Sequence, residues 1–175
     1  THFRILKLEG RADYRRLDGT GSSGRFVVGA QGAEEALEAE FARHVRAPAA
    51  GTPAAGTVVM EVSGRTVRAR RSSGSALWFE YAQICEVPLS FQDYFSLLDG
   101  IELLVISDVQ IESFDGARRF AWLVEIAYDR SIALALSSPG DAGKLFAALR
   151  GVPPQLELEY ERVVSRVAEM TGGRS

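Results

Sequence analysis

The chain has 175 residues, 46% of them apolar and 25% charged, with a formal net charge of -3 at pH 7. This is the profile of one ordinary globular domain with a core, and it excludes a disordered chain. The acidic balance disfavours non-specific nucleic-acid binding, no apolar run reaches the roughly 20 residues of a membrane span, and one cysteine, Cys85, permits neither an intrachain disulfide nor a cysteine-rich zinc site.

These features predict a soluble protein of a reducing compartment, the cytoplasm, with no nucleic-acid partner and no membrane span. The sequence opens on Thr1, and Phe3–Leu8 already alternates apolar and polar residues as a half-buried strand does. It is therefore expected to begin partway through a longer protein. Arg11–Gly24 is polar and glycine-rich, a loop; Arg25–Gly29 is a second short strand. Ala33–Val45 carries Leu37, Phe41 and Val45 at helical spacing, with Glu early and Arg43, His44 late, which suits the helix dipole.

Ala47–Gly56 is the clearest breaker. It divides the chain into residues 1–46 (strands and a helix), the Ala/Pro/Gly loop 47–56, and an α/β region 57–175. Thr57–Val62 and Arg65–Arg71 around Ser63-Gly64 predict a β-hairpin. Ser72–Ser75 reads as a turn, and Ala76–Phe79 as a strand before a helical turn ending near Cys85. Ser90 caps a helix to about Leu98. Ile101–Ile106 and Ile132–Leu136 are continuous apolar runs, as in strands covered on both faces. Helices are expected over Asp115–Tyr128, Ala142–Leu149 and Glu157–Met170. The alternation predicts an α/β fold: a partly parallel sheet with flanking helices, plus a small hairpin region in the N-terminal half.

Three segments resemble nucleotide motifs. Gly19-Thr-Gly21-Ser-Ser-Gly24 has dinucleotide-loop spacing, but the residues after Gly24 are β-like rather than helical, so a turn is expected. Ser138-Pro-Gly-Asp-Ala-Gly143-Lys144-Leu145 sits between strand and helix. It lacks the first Gly and the Ser/Thr that holds Mg²⁺, and Pro139 removes an amide donor, so it reads as a strand-to-helix turn. Asp108 ends an apolar strand as a magnesium-binding acid does; without a phosphate loop it reads as a surface turn. His2 and His44 belong to no nucleophile or metal motif and are expected to be solvated, whereas Cys85 has the apolar setting of a buried, inert thiol.

Arginines carry the stronger signal. Arg118 and Arg119 open a helix, and Arg162 and Arg166 share a face four residues apart. Each could reach a phosphate bidentately, or pair with Glu125, Glu161 or Glu169 on the helix surface.

Leu77-Trp-Phe-Glu-Tyr-Ala-Gln-Ile-Cys85, Asp93-Tyr94, Ala117-Arg-Arg-Phe120 with Leu123 and Tyr128-Asp129, and Glu161-Arg-Val-Val-Ser-Arg166 with Glu169-Met170 come in sequence. With Leu6-Lys-Leu-Glu-Gly-Arg-Ala-Asp13-Tyr14-Arg15, they resemble the landmarks of the ZapE-like P-loop ATPases, the bacterial branch of the AFG-one-like family. The Ala47–Gly56 loop, and Leu123-Val-Glu125 where the family tends to Leu-Ile-Asp, are departures. Members hydrolyse ATP with a glycine-lysine loop and an acidic strand lying before the Asp-Tyr-Arg segment, and neither motif is in this sequence. The resemblance therefore implies the C-terminal region of such an ATPase. ATP and Mg²⁺ would be held only in the full-length protein, with no cofactor in this segment and no metal or catalytic residue of its own. Residues 1–46 would join the missing ATPase core. Arg118, Arg119 or Arg166, with Arg119 the first choice, would offer phosphate contacts in the same or a neighbouring subunit, and partners would include cell-division proteins, since bacterial members act in division and mitochondrial members in protein quality control. The alternatives are a non-catalytic interaction module docking through Thr57–Arg71 or the last helix, and a nucleotide-binding enzyme using Gly143 and Lys144.

Overall fold

The computed structural model describes residues 24–29, 31–45 and 57–172. The expected strand Phe3–Leu8, the Asp13-Tyr14-Arg15 segment, His2, the glycine pattern before Gly24 and the loop Ala47–Gly56 lie outside those residues.

Strand β1 (Arg25–Val28) leads into helix α1 (Ala33–His44). β2 (Val58–Val62) and β3 (Arg65–Ala69) form the expected hairpin. Its turn residues Ser63 and Gly64 both have positive φ, 49° and 75°, the geometry that matches strand twist. β4 (Arg71–Ser73) and β5 (Ala76–Glu80) follow, then short helices α2 (Tyr81–Cys85) and α3 (Phe91–Leu97). β6 (Leu103–Ser107), α4 (Phe114–Arg130), β7 (Ala133–Ser138), a 3₁₀ turn at Ala142–Lys144 and α5 (Pro154–Met170) complete the order.

The class is the α/β one expected, with a five-stranded sheet in the order β4-β5-β6-β7-β1 and the hairpin β2-β3 as a separate two-stranded sheet. β5, β6, β7 and β1 run parallel; β4 is antiparallel to β5. Alternate residues feed two cores. Leu77, Phe79, Leu104, Ile106 and Leu136 meet Phe120 and Val124 of α4 and Val163 of α5. Trp78, Leu103, Val105 and Ala135 meet Leu37 and Phe41 of α1 on the other face. Burial on both faces explains the continuous apolar runs of β6 and β7. Each such buried Leu or Val stabilises the fold by about 1.5–3 kcal/mol relative to exposure. Because β1 pairs with β7 and α1 packs on the sheet, both belong to the layer built by residues beyond the Ala47–Gly56 loop.

Local sequence explains the caps. Ser90 Oγ accepts from the Asp93 N–H at 3.3 Å while the Ser90 N–H donates to Asp93 Oδ2 at 2.8 Å, a reciprocal capping box. Ser113 Oγ accepts from the Gly116 N–H at 2.9 Å at the start of α4.

Three expectations are revised. The Ala142–Leu149 helix is absent: the N–H groups of Lys144, Leu145, Ala147 and Leu149 each bond the carbonyl three residues back, giving 3₁₀ and turn geometry. Gly140 and Gly143 weaken an α-helix there, and Gly151 with Pro153 stops its extension. The second hairpin strand ends at Ala69 rather than Arg71, because the Arg70 N–H donates to Trp78 O at 2.7 Å and Arg71–Ser73 joins the main sheet. Half of the expected Ser72–Ser75 turn, Ser72 and Ser73, is therefore strand. The last helix starts at Pro154, where a missing N–H costs nothing, rather than at Glu157. Among the described residues no helix is long and apolar enough to cross a membrane.

Candidate functional site

Four parallel strands bring their carboxyl ends to one edge. β1 leaves toward α1 on one face, while its neighbour β7 leaves toward α5 on the other. Crevices open where neighbouring strands part in this way. Here the cavity is about 400 Å³, and its lining includes Gly29, Ala33, Trp78, Glu80, Asp108 and Ser138.

Hydrogen bonds hold this edge. The Trp78 indole N–H donates to Ser107 Oγ at 3.1 Å, and the Ser107 hydroxyl donates to Phe79 O at 3.4 Å. Asp108 takes φ 54°, a left-handed conformation that Asp tolerates. Its N–H donates to Ser137 Oγ at 2.9 Å, and the Val109 N–H donates to Ser137 O at 2.8 Å, tying the end of β6 to β7. The Asp108 carboxylate accepts from Gln110 at 2.8 Å. It is the exposed turn expected, set on the rim of the crevice. Arg70 lies 5.0 Å from the Trp78 ring centre, pairs with Glu34 and approaches Glu80 at 3.8 Å. A second cavity of about 300 Å³ shares Glu80 and Asp108 and continues to Tyr81, Glu86 and Glu112.

The sequence reading missed Glu80 and Glu86, and marked Arg70 only as part of a candidate basic patch with Arg65, Arg68 and Arg71. The available signal was positional: Glu80 is the last residue of a strand that runs parallel to the acid-tipped β6, and carboxyl ends are where such sheets bind ligands.

Beneath the second cavity lies a buried polar layer. Tyr94 Oη donates to Ile84 O at 2.7 Å, and Arg119 Nη1 donates to Cys85 O at 2.9 Å. Burial pushes the Cys85 thiol well above its usual range, and the Glu86 charge adds to this while Arg119 opposes it. The thiol is therefore protonated and inert. Burial likewise raises the Tyr81 hydroxyl, and the neighbouring Glu86 carboxylate, by its charge and by a hydrogen bond, raises it further.

The three expected site arginines are not brought together. Arg118, with its side chain 56% exposed, pairs with Asp115 and lies 5.6 Å from the Trp122 ring centre. Arg119 is only 12% exposed and is turned onto the Cys85 carbonyl. Arg166 pairs with Glu125 and stacks 4.5 Å from the Tyr128 ring centre, joined by Arg162 at 3.4 Å from Glu125. Lys144 pairs with Asp141 at 3.2 Å, and Ser138 Oγ donates to Val109 O at 3.0 Å. His44 corrects its expectation of being solvated: the ring is 11% exposed, with Nδ1 3.0 Å from Glu40 O. Its helix buries that face against the sheet, Glu40 included. No group of three or more His, Cys, Asp or Glu among the described residues could hold a metal ion.

A family model described as "AFG1-like ATPase" matches residues 1–174. The "uncharacterized protein C115.02c" of Schizosaccharomyces pombe is 31% identical over 139 residues, covering 77% of this chain and 30% of that protein. The "lactation elevated protein 1 homolog B" of Danio rerio is 28% identical over 90 residues, covering 50% of this chain and 18% of that protein. The chain thus spans less than a third of the curated relatives it matches. No solved structure matches it significantly.

Proposed function

The chain belongs to the AFG1-like ATPase family, and from that premise we propose that it is the C-terminal region of an ATPase whose triphosphate and magnesium are gripped elsewhere in the polypeptide. The family match over residues 1–174 carries this reading. It is supported by the nearest approach to a phosphate loop in the sequence, Ser138–Leu145, which has Leu145 where Mg²⁺ needs a hydroxyl. The region assists ATP hydrolysis through contacts with the nucleotide core, neighbouring subunits and partner proteins, in the cytoplasm and in the service of cell division. Nucleic acid is not among its partners.

Of the three arginines, Arg118 is the one assigned to a nucleotide phosphate. Its guanidinium is held by an exposed pair to Asp115, worth about 0.2–1 kcal/mol, and by an exposed contact with the Trp122 ring, and is released at little cost. Arg119 and Arg166 already serve partners inside the fold. The test is ATP turnover by the full-length protein carrying Arg118→Ala. An arginine acting on the transferring phosphate is worth about 10³–10⁵ in rate, so turnover should collapse; an unchanged rate eliminates the role.

A second reading, a non-catalytic docking module, is favoured by the exposed rings of Phe91 and Phe95 on α3, which are 43% and 44% accessible. It requires that the parent protein's ATP turnover be indifferent to Arg118.

A further inference from the structure

Aromatic side chains gather beside Arg118. Phe91 and Phe95 sit one turn apart on α3, and Phe114 lies one turn before Arg118 on α4; all three are exposed. The Phe91 ring centre is 6.3 Å from that of Phe95 and 6.1 Å from that of the half-buried Trp122, over which Arg118 lies at 5.6 Å. The rings therefore form one continuous patch from Phe95 to Arg118. Apolar side chains scattered singly on a surface are ordinary, but a contiguous patch marks a contact. This one is preformed. Arg130 donates to Phe95 O at 2.8 Å and stacks 3.8 Å from its ring centre, which pins α3 to α4. Little ordering is left for a docking event to impose.

Two considerations identify what covers the patch. A phosphate bonded to Arg118 lies about 3 Å from a guanidinium that is itself in contact with the Trp122 ring. The surface carrying that phosphate must then descend over Trp122 and Phe91. The second consideration is area. Four rings, each less than half exposed, offer on the order of 300 Å², against about 800 Å² per partner in a stable complex of separate molecules. A patch this small suits a domain tethered to the same polypeptide, where the effective concentration reaches the mM range. The matched relatives are long enough to contain one, since the matches cover 30% and 18% of them.

We infer that the aromatic patch of Phe95, Phe91, Trp122 and Phe114 is the seat of the nucleotide core of the same polypeptide, whose apolar residues cover these rings and bring the triphosphate to Arg118. The inference rests on the phosphate role proposed for Arg118.

The test puts a photo-reactive ring, Phe91→p-benzoylphenylalanine, into the full-length protein, mixed from nitrogen-labelled and unlabelled copies and irradiated with ATP and magnesium. Position 91 should crosslink to peptides of the nucleotide core, always within one molecule, so that labelled and unlabelled peptides are never joined. Adding Phe95→Ser, a change at an exposed position that the fold tolerates, should cut the yield about fivefold. The same reagent at the exposed Val59 of the hairpin should capture no core peptide. Absence of a core crosslink, crosslinks between copies or to another protein, an equal core yield from Val59, or a yield unmoved by Phe95→Ser would overturn the inference. Turnover of Arg118→Ala is read separately. Core crosslinks with that turnover unchanged support the docking and remove only the phosphate role; collapsed turnover without core crosslinks removes only the docking.

Discussion

Arg119 on the first turns of α4 donates a hydrogen bond of 2.9 Å to the carbonyl of Cys85, the last residue of α2, across 34 positions of sequence. The neighbouring carbonyl, Ile84 O, is taken by Tyr94 Oη. A five-residue helix leaves most of its carbonyls without helical partners. Two side chains from other elements satisfy the last of them, and so anchor the helix beneath the acidic crevice.

Arg119→Ala should therefore act on stability. A hydrogen bond from a charged donor is worth about 1.5–3 kcal/mol, and urea unfolding should show a loss of that size. Loss of ATP turnover in the parent protein with urea stability unchanged would contradict this assignment.

Tyr94→Phe keeps the ring in the core and strips the donor from Ile84 O. The orphaned carbonyl should cost about 1–2 kcal/mol, measurable as a lowered denaturant midpoint with an unchanged m-value.

Asp93 links α3 to the β2–β3 hairpin. Hydrogen bonds from Ser63, then from Ser90, hold its carboxyl below the ordinary value of 3.8, with Arg65 contributing at 3.4 Å. A carboxyl depressed by folding stabilises fully above its ordinary value, and that contribution is lost as pH falls through the lower folded value. Asp93→Asn should cost about 1 kcal/mol at pH 7, the usual worth of a cap, and should approach the wild type in strong acid. A thermal-melt difference that stays constant from pH 7 to strong acid would show that the carboxylate is not the cause.

Gly24 precedes β1 with its backbone pressed against the chain. A Cβ there would fall 1.9 Å from Leu134 O and 2.6 Å from Met170 O, both backbone atoms. Since neither can rotate aside, Gly24→Ala should destabilise by about 1–3 kcal/mol, as overpacking does. The β1–β7 amides should lose hydrogen-exchange protection first.

The individual elements were largely legible. β6 and β7 announce themselves as apolar runs because both faces are covered, and Ser90 and Asp93 carry the capping signal within four residues. Where local rules competed, the reading slipped. Arg70 and Arg71 continue the hairpin by pattern, yet the stronger pairing offered by β5 draws Arg71–Ser73 into the main sheet. The glycines near Lys144 tipped a helical spacing into 3₁₀ turns. Of the candidate site, the Arg119 and Arg166 charges and Glu125 as a partner were visible, but not that Cys85 O would claim Arg119.

By itself the sequence determined the α/β class, the family resemblance and the lack of a working phosphate loop, because these depend on residue type and on spacing within a turn or strand. Only the tertiary structure decided that β1 returns to pair with β7, and that Glu80, Glu86 and Asp108 line one edge with Tyr81 among them. Those neighbours come from separate strands and loops, and what brings them together is the burial of both sheet faces, a global balance that no local pattern encodes.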